Sequence, residues 1–158
     1  MNTKVFLLLL SLYCSCTSAR TSTNVQSVNV GKQILCFQGK SWSVKNLVEA
    51  ASDFQGYGCW CGAFNGGGSR RVVDAVDSCC KAHDLCFDKA EDKLPWYIPD
   101  KVLLGTPYTI VCENNMARCE GFTLSNSICK CDRVFAECIA RNINAYNSKY
   151  AHYKTRNC

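Results

Sequence analysis

Apolar positions along the chain fall into short blocks separated by clear breaks. Lys4 precedes an unbroken apolar run from Val5 to Leu10. Val28, Ile34 and Leu35 then sit at loose helical spacing, which predicts a short helix over 28–36. Leu47, Val48, Ala50 and Ala51 predict a second helix within Ser41 to Phe54, and Gln55-Gly56-Tyr57-Gly58 breaks it. Cys59 to Gly68 reads as a glycine-rich loop, and Asp74 to Lys89 as a long helix. Asp74 and Asp77 lie in its first turn, where the helix dipole favours negative charge. Leu94 to Pro107 holds all three prolines and is not a regular helix throughout. Tyr108 to Cys112 and Met116 to Cys119 flank Glu113-Asn114-Asn115 and suit a small hairpin. Ser127 to Tyr146 reads as a second long helix, followed by a polar, basic tail from Ser148 to Cys158.

The N-terminal apolar run ends at Thr17-Ser18-Ala19, small residues that suit a cleavage site. Residues 1–19 therefore read as a secretory signal peptide, too short for a membrane span. A signal anchor is the alternative, disfavoured by the small residues that close the run. Residues 20–25 are a polar N-terminal extension or short propeptide, and 26–158 make one domain. No later segment is apolar for long enough to cross a bilayer.

Cysteine usage agrees with export. Of fourteen cysteines, Cys14 and Cys16 belong to the leader, and the twelve that remain read as a disulfide framework. Counting alone allows about ten thousand pairings. Cleavage after Ala19 removes Lys4 alone among the charged residues, so the net charge falls from +5 to +4. That balance suits an anionic lipid surface or a plain solvated exterior. No dense Lys/Arg run supports a nucleic-acid role.

The informative segment is Cys79-Cys80-Lys81-Ala82-His83-Asp84-Leu85-Cys86-Phe87. On a helix, Cys79, His83 and Phe87 share a face, with Cys86 two turns from Cys79. Cys131 and Cys138 repeat the same seven-residue interval in the second long helix. Two such helices running antiparallel are stapled twice if Cys79 meets Cys138 and Cys86 meets Cys131. That register sets His83 opposite position 134 and within about a turn of Asp132. A carboxylate on one ring nitrogen fixes the tautomer and frees the other to accept a proton.

Two plainer readings compete. His83 is an ordinary partly buried histidine, or Cys-Cys-x-x-His-Asp-x-Cys binds zinc, which an oxidising compartment disfavours. Asp84 is a carboxylate beside the presumed base, and a hard cation such as Ca²⁺ needs several more oxygens. The loop from Trp60 to Gly68 supplies backbone carbonyls if its glycines let it curl around an ion, and is otherwise only a flexible loop. Cys59 and Cys61 tether its start.

Tyr57-Gly58-Cys59-Trp60-Cys61-Gly62, then Asp74-x-x-Asp77-x-Cys79-Cys80-x-x-His83-Asp84-x-Cys86, then Cys129-x-Cys131-Asp132 with Cys138, together resemble the secreted phospholipase A2 family. The resemblance runs from about Gln26 to Cys158. It implies a mainly α, disulfide-rich fold: two long antiparallel stapled helices, an N-terminal helix, a calcium loop and a small β-hairpin. It implies His83 as catalytic base, Asp132 as its supporting carboxylate, and Tyr108 as the tyrosine that hydrogen-bonds Asp132. Asp84 matches the calcium carboxylate, and Trp60 and Gly62 match positions that give carbonyls to the ion. The third carbonyl falls on Gly67, or on Phe64, because this loop is longer than the family pattern. The implied bridges are Cys36–Cys112, Cys59–Cys158, Cys61–Cys80, Cys79–Cys138, Cys86–Cys131 and Cys119–Cys129, the first resembling the pancreatic (group I) type. One bridge common in the family has no cysteines here. Phe87 stands where a second tyrosine usually serves Asp132, and the stretch from Cys36 to Cys59 is lengthened around Trp42.

The resemblance further implies calcium-dependent hydrolysis of the sn-2 ester of a glycerophospholipid, with the Gly62 amide as an added oxyanion donor. The partner is then a phospholipid membrane or micelle, met peripherally by a secreted monomer. Leu94-Pro95-Trp96-Tyr97-Ile98-Pro99 suits docking at that surface, with Trp96 and Ile98 as anchors, or else forms a satellite core. The basic tail (Arg141, Lys149, Lys154, Arg156) assists docking or is simply solvated. The rival function keeps the fold but acts as a catalytically weak toxin or receptor ligand. Intact His83 and Asp84 weigh against it, and the lengthened loop weighs for it.

Overall fold

The computed structural model describes residues 27–62, 71–97, 106–121, 123–153 and 155–158. The leader, the N-terminal extension, Phe64, Gly67 and Ile98 lie outside them. Helix α1 covers residues 27–37. It is followed by α2 (Val44–Ser52), α3 (Ala75–Glu91), the strands β1 (Thr109–Glu113) and β2 (Met116–Glu120), and α4 (Thr123–Asn142). Three 3-10 turns close the described chain, at Ile143–Ala145, Ser148–Tyr150 and Thr155–Asn157.

Local chemistry sets the boundaries. Ser43 caps α2 by accepting from the Asn46 amide at 3.1 Å. Asp74 caps α3 by accepting from the Asp77 amide at 2.9 Å. The hairpin turns at Asn114 and Asn115, both at positive φ (52° and 59°). This left-handed pair matches the twist of the two strands, whose register sets Glu113 against Met116 and Cys112 against Ala117.

Helix α4 starts four residues before the Ser127 boundary expected from sequence, because Ser125 and Ile128 are packed into the interior. It also stops short of Tyr146. The Tyr146 ring stacks on Tyr57 with centroids 4.8 Å apart, and the Asn147 amide donates to the Tyr57 hydroxyl at 3.0 Å. Those contacts draw the chain off the helix axis into a 3-10 turn.

Six disulfides cross-link the described residues: Cys36–Cys112, Cys59–Cys158, Cys61–Cys80, Cys79–Cys138, Cys86–Cys131 and Cys119–Cys129. Cys79–Cys138 and Cys86–Cys131 staple α3 to α4 in antiparallel register, with Cα atoms 5.7 and 5.6 Å apart. Near one staple, Ile34, Phe54, Tyr57, Val76, Phe135 and Ile139 form an apolar core. Near the other, Phe87, Tyr108, Ile128 and Cys129 form a second. The fold is mainly α and held by disulfides, with the hairpin packed on α4.

Candidate active site

His83 lies on α3 between the two staples, so its position relative to α4 is fixed from both sides. Its Nε2 is 2.6 Å from Oδ1 of Asp132, which is fully buried. An ionised carboxylate only accepts hydrogen bonds, so Nε2 carries the hydrogen and Nδ1 keeps a free lone pair. Phe87, one turn on from His83, and Phe135 of α4 flank the imidazole, with ring centroids 4.8 and 4.6 Å away. The ring is thereby wedged, and its plane is set by packing as well as by the hydrogen bond.

The other oxygen of Asp132, Oδ2, accepts from the Tyr108 hydroxyl. Burial pushes the Tyr108 phenol well above the usual tyrosine range, and the Asp132 charge pushes it further the same way. The hydroxyl therefore stays a donor. Phe87 is buried and has no hydroxyl to offer Asp132.

The loop before α3 is built around Asp77. This fully buried carboxylate accepts three backbone N–H groups, from Cys59 (3.0 Å), Trp60 (2.8 Å) and Val73 (3.0 Å). Gly58 has φ +58°, and a Cβ there would sit 2.4 Å from Oδ1 of Asp77. Only glycine lets the loop close this tightly on the carboxylate. Cys61, between Trp60 and Gly62, is bonded to Cys80 with Cα atoms 5.0 Å apart. Cys80 and Asp84 are four apart on α3, and so lie one above the other on one helix face. The backbone on either side of Cys61 is thus held beside α3, one turn before Asp84. The Trp60 ring is fixed by its Nε1 donating to the Arg71 carbonyl at 3.2 Å and by Lys81 over its face at 5.1 Å.

Asp84 differs from the other carboxylates of the site. It is half-buried, and among the described residues it has neither a hydrogen-bond donor nor an ion-pair partner. Burial, reinforced by Asp88 and Asp77, raises its pKa to about 6 despite the opposing pull of His83. A half-buried carboxylate without a partner among the described residues is chemistry that fits a hard, oxygen-seeking cation. The thiolate zinc alternative fails, because Cys79, Cys80 and Cys86 are all in disulfides.

The structure brings His83, Asp132 and Tyr108 together and attaches the Trp60–Gly62 loop to α3. Gly67 and Phe64 lie outside the described residues. Two residues escaped the sequence reading. Asp77 stands in the sequence as a dipole-favoured acid and a motif position, without its role in gathering the loop; the signal is the Asp74-x-x-Asp77 spacing at a helix start, which marks a cap and its N3 partner. Gln33 gave no signal at all.

The chain matches the Phospholipase A2 family model over residues 28–151. It is 35% identical over 127 residues to a phospholipase A2 homolog of Echis carinatus sochureki, covering 80% of this chain and 88% of that protein. It is 33% identical over 117 residues to the acidic phospholipase A2 CbIalpha of Pseudocerastes fieldi, covering 72% and 85%. It is 38% identical over 113 residues to the group IIE secretory phospholipase A2 of Mus musculus, covering 68% and 70%. The family match takes in the capped helix of His83, the helix of Asp132 and the loop tied to α3, and with the relatives it establishes that this chain belongs to the secreted phospholipase A2 family.

Proposed function

We propose that this chain hydrolyses the sn-2 acyl ester of glycerophospholipids in a calcium-dependent reaction, releasing a lysophospholipid and a free fatty acid. The carrying observation is His83: its Nε2 is held 2.6 Å from Asp132, and among the described residues neither its Nδ1 nor the carboxylate of Asp84, one residue on, has a hydrogen-bond partner.

Nδ1 takes a proton from water, directly or through a second water, as that water's oxygen attacks the ester carbonyl carbon. The imidazolium that forms is stabilised by Asp132, whose charge is held in place by Tyr108. Proton return from Nδ1 to the departing glycerol oxygen then completes the exchange of ester for acid and alcohol. Phe87 and Phe135 keep the ring from rotating away between the two transfers. Asp84 and the Trp60 and Gly62 carbonyls would hold Ca²⁺, with Gly67 or Phe64 as the third loop carbonyl. When bound there, the ion supplies Lewis acidity toward the ester oxygen and charge for the substrate phosphate. The Gly62 amide is the added donor to the developing oxyanion.

The partner is a phospholipid membrane or micelle surface. Trp96 is 95% exposed and Tyr97 68% exposed, which removes the satellite-core reading for these two rings and suits an interfacial anchor. Among the described residues no helix is long and apolar enough to span a membrane.

The deciding assay is fatty-acid release from phospholipid vesicles with calcium, with EDTA, and with His83→Gln. Release should require calcium and fall at least a hundredfold in the variant, on the order expected for loss of a general base. Release that ignored EDTA or survived the substitution would overturn the mechanism. A parent chain without turnover would leave the binding-only reading in its place.

A further inference from the structure

Gln33 lies on α1, is 0% exposed, and meets the active site from behind. Its Nε2 is 3.2 Å from the Tyr108 hydroxyl and 3.8 Å from the Cys129 sulfur. The direction of these bonds follows from counting hydrogens. Tyr108 has one, and gives it to Asp132. What remains on the phenol oxygen is lone pairs, so the side chain facing it must donate. The Gln33 amide is thereby fixed with its NH₂ toward Tyr108. A directional row results: Gln33 N–H to Tyr108 O–H to Asp132, with His83 N–H arriving from the opposite side.

We infer that Gln33 is a positioning residue for the hydrolysis proposed above, acting through Tyr108 on Asp132 and so on His83; the inference rests on that reading of the site. In a buried row each donation polarises the next bond, so an N–H on the Tyr108 oxygen strengthens the hydroxyl's bond to Asp132. Two observations separate this from ordinary packing. First, position 87 beside His83 is a phenylalanine, so Tyr108 is the one hydroxyl on Asp132 among the described residues. Whatever steadies Tyr108 therefore steadies the carboxylate. Second, Gln33 is an expensive core residue. Its Oε1 is buried with no hydrogen-bond partner among the described residues, a cost that an apolar side chain of the same volume avoids.

The test is Gln33→Met, which keeps length and volume and removes the amide. Fatty-acid release by the parent chain is measured first. The variant should melt at or above the parent's temperature yet lose about three- to tenfold in kcat, as for one buried hydrogen bond. KM should stay within about twofold, because no substrate contact is removed. The Tyr108 hydroxyl proton should move upfield in its NMR spectrum. In a Tyr108→Phe background, Gln33→Met should cost nothing further in kcat, since the link is already cut. An unmoved hydroxyl resonance, an unchanged kcat, or an equal loss in the Tyr108→Phe background would overturn the inference. A parent without turnover would refute the hydrolase reading instead, and the resonance would still decide whether Gln33 holds Tyr108.

Discussion

The Trp60 amide donates to Oδ1 of Asp77 at 2.8 Å, joining the loop that leads to Gly62 to the first turn of α3. Cys59 and Val73 donate to the same carboxylate, so one side chain gathers backbone from both ends of the loop. Asp77→Asn turns one of those oxygens into an NH₂ that faces N–H donors. We expect a loss of about 2–4 kcal/mol, from one or two charge-assisted hydrogen bonds. If the proposed calcium site is right, calcium affinity should fall with it, because the loop that would offer the Trp60 and Gly62 carbonyls loses its seat. Thermal unfolding, together with the calcium concentration needed for half-maximal release, checks both.

Asp132→Asn should be more damaging to turnover than to folding. Tyr108 needs an acceptor, so the Asn oxygen turns to Tyr108 and its NH₂ to His83. The imidazole must then present a lone pair at Nε2 and carry its hydrogen on Nδ1, the wrong tautomer for a base at that atom. We expect kcat to fall by about 10²–10⁴. Nitrogen-15 NMR of the imidazole reports the tautomer directly.

In the proposed calcium site, Asp84 would set a pH limit on binding. With its pKa raised to about 6, the carboxyl is protonated below that value and competes with the ion. Affinity should hold from pH 8 to about 7, then fall about tenfold per unit below 6. Without calcium the sign for stability is opposite to the usual aspartate. The folded pKa lies above the unfolded 3.8, so this group's contribution is present below that value and is lost as pH rises through about 6. Calcium titrations at pH 5, 6 and 8, with melting in EDTA over the same range, test both halves.

Trp96→Ala should leave folding alone and weaken docking. The side chain is almost wholly exposed, so stability should change by under about 0.5 kcal/mol. Partition onto phospholipid vesicles should drop several-fold while hydrolysis of a dispersed short-chain substrate stays the same. Equal vesicle binding by the two proteins would remove Trp96 from the docking surface.

The residues most legible in the sequence carry functional side chains on long helices. His83 and Asp132 could be brought face to face because cysteines at seven-residue intervals give both the helix phase and the register between helices. Asp77 and Gln33 were harder to see, since their partners are backbone amides or lie far off in the chain; Gln33 meets Tyr108 across 75 positions. Carbonyl donors leave the least trace. Any residue has a carbonyl, which is why sequence leaves Gly67 and Phe64 as alternatives while it offers a single histidine at the helix motif. The start of α4 was hidden for another reason: Ser125 and its polar neighbours favour turns locally, and burial against the core makes them helical.

The staples around His83 also decide where such a chemistry can run. Cys61–Cys80, Cys79–Cys138 and Cys86–Cys131 set the loop and both helices of the site, and bonds of this kind form and last in oxidising surroundings. A copy of the chain stranded among cytosolic reductants would lack the alignment of base and carboxylate. On the proposed reading, turnover would thus be confined to oxidising compartments, the secretory lumen included, with the cross-links serving as the safety catch against activity in the cytosol.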